Sequence, residues 1–154
     1  MANNLGTSVV QVYNVTTRVW VDIPPTLIRY ETYKITPDQV MDLDSYRGAT
    51  GQLLRTVLPH TATKIEFETP YMADKDWRTI WGIISAGFAN PGTGRVSSGS
   101  DLARSCRIRY WDPYTDTIKT AWVYVPDIDL TIRNVDFPNH IVNFEQIRIA
   151  FIEY

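Results

Sequence analysis

The sequence predicts a mainly β protein, an antiparallel β-sandwich or β-barrel with one flanking α-helix at about 74–88. Short segments rich in Val, Ile, Thr, Tyr and Trp recur between Gly, Pro and Asp turns, which is typical of strands. One longer segment instead repeats its apolar residues every three or four positions, as a helix does. The length of 154 residues, with 44% apolar and 21% charged residues, suits one globular domain at 1–154.

The first third of the chain predicts short strands at 9–13, 18–23 and 27–35, with Pro24 and Pro25 between the last two. After them, Thr36 and Pro37 are typical of a helix start, so we expect a short helical turn through 41.

The next segment begins with a glycine loop at 48–51, followed by an extended stretch at 52–58 and a strand at 63–69. Ile65 and Phe67 alternate with charged residues, which predicts one buried and one wet face.

The helix prediction depends on apolar residues spaced by three and four after Pro70, namely Trp77, Ile80, Trp81, Ile84 and Phe88. Asp74 is placed to cap its start. The residues that follow, 90–100, are small, polar and rich in glycine, so we expect an exposed loop there.

The last third predicts a β-hairpin of strands 105–111 and 117–125, joined by a turn at 112–116. Cys106 falls on the apolar face of this hairpin and is expected to be a core residue. A strand at 128–133 follows. A long terminal strand at 142–154 should contain a bulge near Gln146, where the alternation slips by one residue.

Residues that commonly carry catalysis or bind metals are sparse in this chain. It has one cysteine and two histidines, and His60 and His140 are far apart in sequence. An acidic cluster of Asp38, Asp42 and Asp44 lacks the glycine and the terminal glutamate of a calcium loop, so a solvated turn is expected. We therefore predict a protein that is not an enzyme and has no catalytic residues, metal site or cofactor.

Composition also bears on partners and location. The net charge of -2 gives no reason to expect sequence-specific nucleic acid binding, although Arg104, Arg107 and Arg109 lie near Tyr110 and Trp111 in a pattern that could contact phosphates and bases. No apolar run approaches a membrane span, and residues 1–4 lack the start of a signal peptide, so we expect synthesis in the cytosol and no membrane partner.

Two features predict contacts with other subunits. The loop at about 90–100 is the expected contact arm, and the aromatic residues of the hairpin could leave a surface for a neighbour. The candidate assembly residues are Gly92, Thr93, Gly94, Arg95, Gly99, Trp111 and Trp122. The alternative is a carbohydrate-binding β-sandwich module whose Trp and Tyr rings stack on sugars.

Residues 63–154 resemble the small minor structural tail proteins of phages and prophages of Gram-positive bacteria. The resemblance follows an order of features: the strand Lys64-Ile65-Glu66-Phe67-Glu68-Thr69-Pro70, the amphipathic segment 76–81, the strand end Tyr110-Trp111-Asp112-Pro113, the strand Thr120 to Asp127, and the end Phe151-Ile152-Glu153-Tyr154. It implies a tail-tube-like fold and a structural subunit of the tail tube or the distal tail and baseplate. Such a virion component would form a symmetric ring with itself, expected to be hexameric, and contact adjacent tail or baseplate proteins.

Overall fold

A computed structural model of the chain describes residues 8–92 and 103–154. In those ranges ten strands and one α-helix form: β1 Val10–Asn14, β2 Val19–Asp22, β3 Arg29–Arg47, β4 Leu53–Glu68, β5 Met72–Ala73, α1 Asp74–Ser85, β6 Ser105–Asp112, β7 Thr117–Tyr124, β8 Ile132–Asp136, β9 Ile141–Phe144 and β10 Arg148–Glu153. A 3-10 turn at Pro25–Leu27 precedes β3.

Two antiparallel sheets organise the described residues. The larger has the strand order β2-β1-β6-β7-β10-β4-β3 and the smaller has the order β5-β9-β8. Since β2 and β3 are the outer strands and do not pair with each other in the described residues, the large sheet is open and does not close into a barrel. The mainly β, sandwich-like fold with a flanking helix is therefore confirmed.

One face of the large sheet is covered by α1 and the small sheet. Alternate residues of β1, β4, β6, β7 and β10 point into the shared core, as the two-residue period requires. The core includes Val12, Phe67, Ile108, Val123 and Phe151 from the sheet, Ile80 and Ile84 from α1, and Met72 and Phe144 from the small sheet. The opposite face of the large sheet is left partly open to solvent.

The helix begins where it was predicted, but its N-cap and its end differ from the prediction. Asp74 is its first residue, and Ala73 is the N-cap, with no side-chain cap. The helix ends at Ser85 because the chain turns there to approach β1, and the amide of Val15 donates to the carbonyl oxygen of Ala86 at 3.2 Å. Phe88 lies beyond the end of the helix. Its ring packs edge to face with that of Trp81, with 5.7 Å between the ring centres.

The predicted hairpin at 105–125 is confirmed, with Asp112 opposite Thr117 at its turn. The predicted bulge near Gln146 is wrong. The slip in alternation marks the point where the chain leaves the small sheet at Phe144 and enters the large sheet at Arg148. Residues 128–131 are not in a strand, which begins only at Ile132.

The largest departure lies in β3 and β4. The helical turn predicted at 36–41 is wrong, because these residues continue β3, with register shifts around Pro37 and Asp42. The separate segments predicted at 52–58 and 63–69 are one strand. Together β3 and β4 form a hairpin that extends well beyond the other strands of the large sheet.

Candidate assembly surfaces

The outer part of the β3–β4 hairpin, residues 39–47 and 53–62, is called the arm here. It pairs from Gln39 opposite Ala62 to Arg47 opposite Leu53. Strand β10, the neighbour of β4, pairs with β4 only along Lys64–Glu68. In the described residues the arm is therefore a two-stranded ribbon with unpaired backbone groups along both edges, the kind of edge that other strands can join.

The turn of the arm explains why it forms. The amide of Gly48 donates to the carbonyl oxygen of Gln52 at 2.8 Å, and the amide of Gly51 donates back to Gly48 at 2.9 Å. Gly51 has a φ of +82°, which a residue without a Cβ adopts without strain. The loop predicted at 48–51 is thus a tight hairpin turn.

The arm exposes apolar side chains on both faces. These side chains are between 41% and 58% exposed and comprise Val40, Tyr46, Leu53, Leu54 and Val57. Tyr46 lies opposite Leu54 on one face, while Leu53 and Val57 lie on the other by the two-residue period. Sequence reasoning missed this surface, although two extended segments around a glycine turn are themselves a hairpin signal.

The arm contains one ion pair, between Arg55 and Asp42, among its described side chains. Arg55 donates to both carboxylate oxygens of Asp42, and this hydrogen bonding holds the pKa of Asp42 below its ordinary value. Arg47 donates instead to the neutral carbonyl oxygen of Gly51 at 2.9 Å. The acidic cluster predicted at Asp38, Asp42 and Asp44 lies on a strand, not on a turn, and Asp38 faces Lys119 at 3.6 Å.

A second exposed apolar surface, called the hairpin patch here, surrounds β8 and β9. Its side chains are between 37% and 78% exposed and comprise Leu130, Ile132, Val135, Phe137 and Ile141. Phe137, the most exposed, lies in the β8–β9 turn, where Asn139 donates to Asp136 at 2.8 Å. Several exposed apolar side chains on one short hairpin and its flanks are a candidate surface for protein–protein contact.

The open face of the large sheet carries arginines and aromatic rings. The guanidinium of Arg107 lies 5.0 Å from the Tyr13 ring centre, 5.7 Å from Trp20 and 5.9 Å from Trp122. That of Arg109 lies 4.3 Å from Trp20. These are cation–π distances, so the guanidinium groups occupy ring faces on which a sugar or a base would stack.

The remaining predicted contact residues are distributed over several places. Trp122 lies in the arginine–aromatic face, whereas the indole nitrogen of Trp111 donates to Asp116 at 2.7 Å beside the β6–β7 turn. Gly92 is exposed with a φ of +114°. The other predicted residues, Thr93, Gly94, Arg95 and Gly99, lie outside the described residues.

In residues 8–92 and 103–154 no group of three or more His, Cys, Asp or Glu side chains is arranged to hold a metal ion. Cys106 is a buried core residue, as predicted, and burial raises the pKa of its thiol to about 12. No helix in the same ranges is long and apolar enough to cross a membrane.

The described surface includes two shallow depressions. One, of about 240 Å³, is lined by Trp77, Trp81, Arg104, Ile128 and Leu130. The other, of about 220 Å³, is lined by Thr32, Lys34, Glu66, Phe67, Glu68 and Arg148. Both are smaller than the roughly 300–1,000 Å³ of typical small-molecule pockets.

Comparison with known proteins identifies the family. A family model described as a family of unknown function, DUF6711, matches residues 17–154. The chain belongs to the DUF6711 family. No curated protein and no solved structure matches the chain. The DUF6711 match includes the arm and the hairpin patch, whereas β1 precedes it.

Proposed function

We propose that this chain is a non-enzymatic structural subunit that assembles with copies of itself into a symmetric ring, as part of a phage tail. The observation that carries the proposal is the arm, a two-stranded ribbon that exposes apolar side chains on both faces and whose edges pair with no other described strand. Two-stranded ribbons are marginally stable alone, so an arm of this length is best explained by a partner that covers it.

The tail assignment is supported by the resemblance of residues 63–154 to small tail proteins of phages and prophages. On this proposal the subunit is part of the virion tail, in the tail tube or in the distal tail and baseplate, and its further partners are adjacent tail or baseplate proteins. A closed ring is the expected assembly, since closed cyclic symmetry is usual among homo-oligomers. The resemblance to tail proteins makes a hexamer the expected ring.

The competing proposal is a carbohydrate-binding module, and the arginine–aromatic face argues against it. A sugar ring approaching Trp122 or Trp20 on the side that Arg107 and Arg109 cover would have to displace a guanidinium group. Such displacement would forfeit cation–π interactions of about 0.5–1 kcal/mol each.

The assembly proposal is tested by shortening the arm. In this variant residues 43–56 are replaced by Asn-Gly, so that the paired residues Asp42 and Val57 flank a two-residue turn. Asn-Gly is the sequence that such hairpin turns prefer. The fold should persist, because none of the arm side chains that the structure describes belongs to the buried core. Light scattering at matched concentrations should detect ring-sized species for the wild type and monomers for the variant.

A second variant, lacking 93–99, tests the loop that the sequence analysis named as the contact arm. Electron microscopy of the larger species and a glycan-binding screen accompany the scattering. A wild type that stays monomeric and binds a glycan through Trp111 or Trp122 would contradict the proposal and favour the sugar-binding module.

A further inference from the structure

Resting on the proposed self-assembly, we propose that the arm of one copy docks on the hairpin patch of the next copy, in a head-to-tail contact. The occupant of each surface is thus a second copy of this chain. Both surfaces are exposed within one copy, so they do not cover each other there. A contact between two different surfaces is heterologous, and repeated contacts of this type close into a ring when the rotation allows.

The side chains of the two surfaces are alike in chemistry. Leu53 and Val57 lie on one face of the arm, and Ile132 and Phe137 belong to the hairpin patch. Removing such side chains from water on both partners stabilises an association by about 25 cal/mol per Å² of apolar surface before the entropic cost of binding is subtracted. Each surface can therefore cover the apolar side chains of the other and remove them from water.

Charge favours this pairing over arm against arm. On the face that bears Leu53, Arg55 and Asp42 neutralise each other, which leaves the positive charge of Arg47 without an acidic partner of its own in the arm turn. Residues 127–145 contain four acidic residues and one arginine. Asp127 is paired with Arg104, so the segment keeps a net charge of -2 with His140 neutral. A positive arm end therefore meets an acidic patch in the head-to-tail arrangement.

Disulfide trapping distinguishes the arrangements. The native thiol of Cys106 is buried, so it is silent in this experiment. Leu53→Cys and Ile132→Cys are prepared as separate proteins, because Leu53 and Ile132 are both about half exposed. After mild oxidation, the mixture should give a covalent dimer on a non-reducing gel, and neither protein alone should give one. Val19→Cys, at an exposed position of β2, is the matched control and should cross-link with neither.

The other outcomes overturn the inference in distinguishable ways. Covalent dimers from Leu53→Cys alone would show an arm-to-arm contact. Assembly seen by light scattering without a cross-link in the mixture would place the contact elsewhere, and the proposed function would survive. A wild type that stays monomeric at the highest attainable concentration, with no cross-link in the mixture, would contradict both the docking and the self-assembly.

A charge reversal tests the electrostatic part. Arg47→Glu should weaken association about two- to fivefold, the size expected for an exposed ion pair. Adding Asp129→Lys should restore it to within about twofold of the wild type. Lys75→Glu, the same charge change on the exposed side of α1, should leave association unchanged. A loss that Asp129→Lys does not relieve would contradict the pairing of the arm with the acidic segment.

Discussion

Thr69 and Ile147 are joined by two hydrogen bonds in the protein interior. The amide of Thr69 donates to the carbonyl oxygen of Ile147 at 2.9 Å, and the amide of Ile147 donates to the Thr69 hydroxyl at 3.1 Å. Both residues are fully buried. The pair holds the end of β4 against the segment where the chain passes from the small sheet to the large one.

Thr69→Val should lower the free energy of unfolding by about 1–3 kcal/mol. The substitution keeps the shape of the side chain but leaves the buried amide of Ile147 without an acceptor, and an unsatisfied buried donor costs about that much. Urea denaturation measures the change. Thr69→Ser, which keeps the hydroxyl, is the control and should lose less; equal losses for the two variants would contradict this role of the hydrogen bond.

Gly87→Ala should destabilise the fold, whereas Gly82→Ala should stabilise it. A Cβ on Gly87 would lie 2.7 Å from a methyl carbon of Val12 and 2.8 Å from the carbonyl oxygen of Tyr13, and such overpacking costs about 1–3 kcal/mol. A Cβ on Gly82, in α1, meets nothing within 4 Å. Alanine should therefore raise the free energy of unfolding by about 0.5–1 kcal/mol, because its helix propensity is higher than that of glycine.

Thermal denaturation of the two glycine variants measures both effects. A Gly87→Ala protein as stable as the wild type would mean that the end of α1 can move away from β1.

The stability contributed by Asp112 should disappear in acid. Its buried carboxylate forms an ion pair with Lys119 and accepts the Tyr114 amide at 2.8 Å. Burial alone would raise the pKa of Asp112, but these hydrogen bonds lower it below the ordinary 3.8. A group with a lowered pKa in the folded state stabilises above its unfolded pKa, and this contribution is lost as the pH falls through the folded value.

Asp112→Asn should therefore be less stable than the wild type by about 1.5–3 kcal/mol at pH 7, with the difference shrinking below pH 4. Urea denaturation at pH 7 and pH 3 tests this, with Asp129→Asn on an exposed segment as the control. A difference that is the same at both pH values would exclude the carboxylate charge as its source.

Sequence patterns predicted the elements whose signals are local. In the hairpin at 105–125, alternating side chains and a turn containing Asp112 and Pro113 specify both the strands and their pairing. The helix was predicted because its apolar residues repeat every three or four positions. Its end at Ser85 depends on the close approach of Gly87 to β1, which the spacing of apolar residues does not predict.

The arm shows why other elements were not predictable in this way. Thr36 and Pro37 are typical of a helix start, and proline is a poor strand residue, so local preference favoured a helical turn at 36–41. Pairing with β4 across many residues of chain outweighs that preference, as non-local contacts often do in sheets. The slip at Gln146 is equally ambiguous in sequence, because a bulge and a change of sheet leave the same break in the alternation.

The sequence by itself determined the mainly β class, the flanking helix and which residues of β4, β6 and β7 are buried, since a strand's two-residue period and a helix's three-to-four-residue period are local properties. The tertiary structure decided the continuity of β3 and β4, the passage between sheets at 145–147, and the exposure of the arm and the hairpin patch. Those features depend on which strands pair with each other, and whether a surface stays exposed depends on how the rest of the chain packs. Both are set by contacts between residues far apart in sequence.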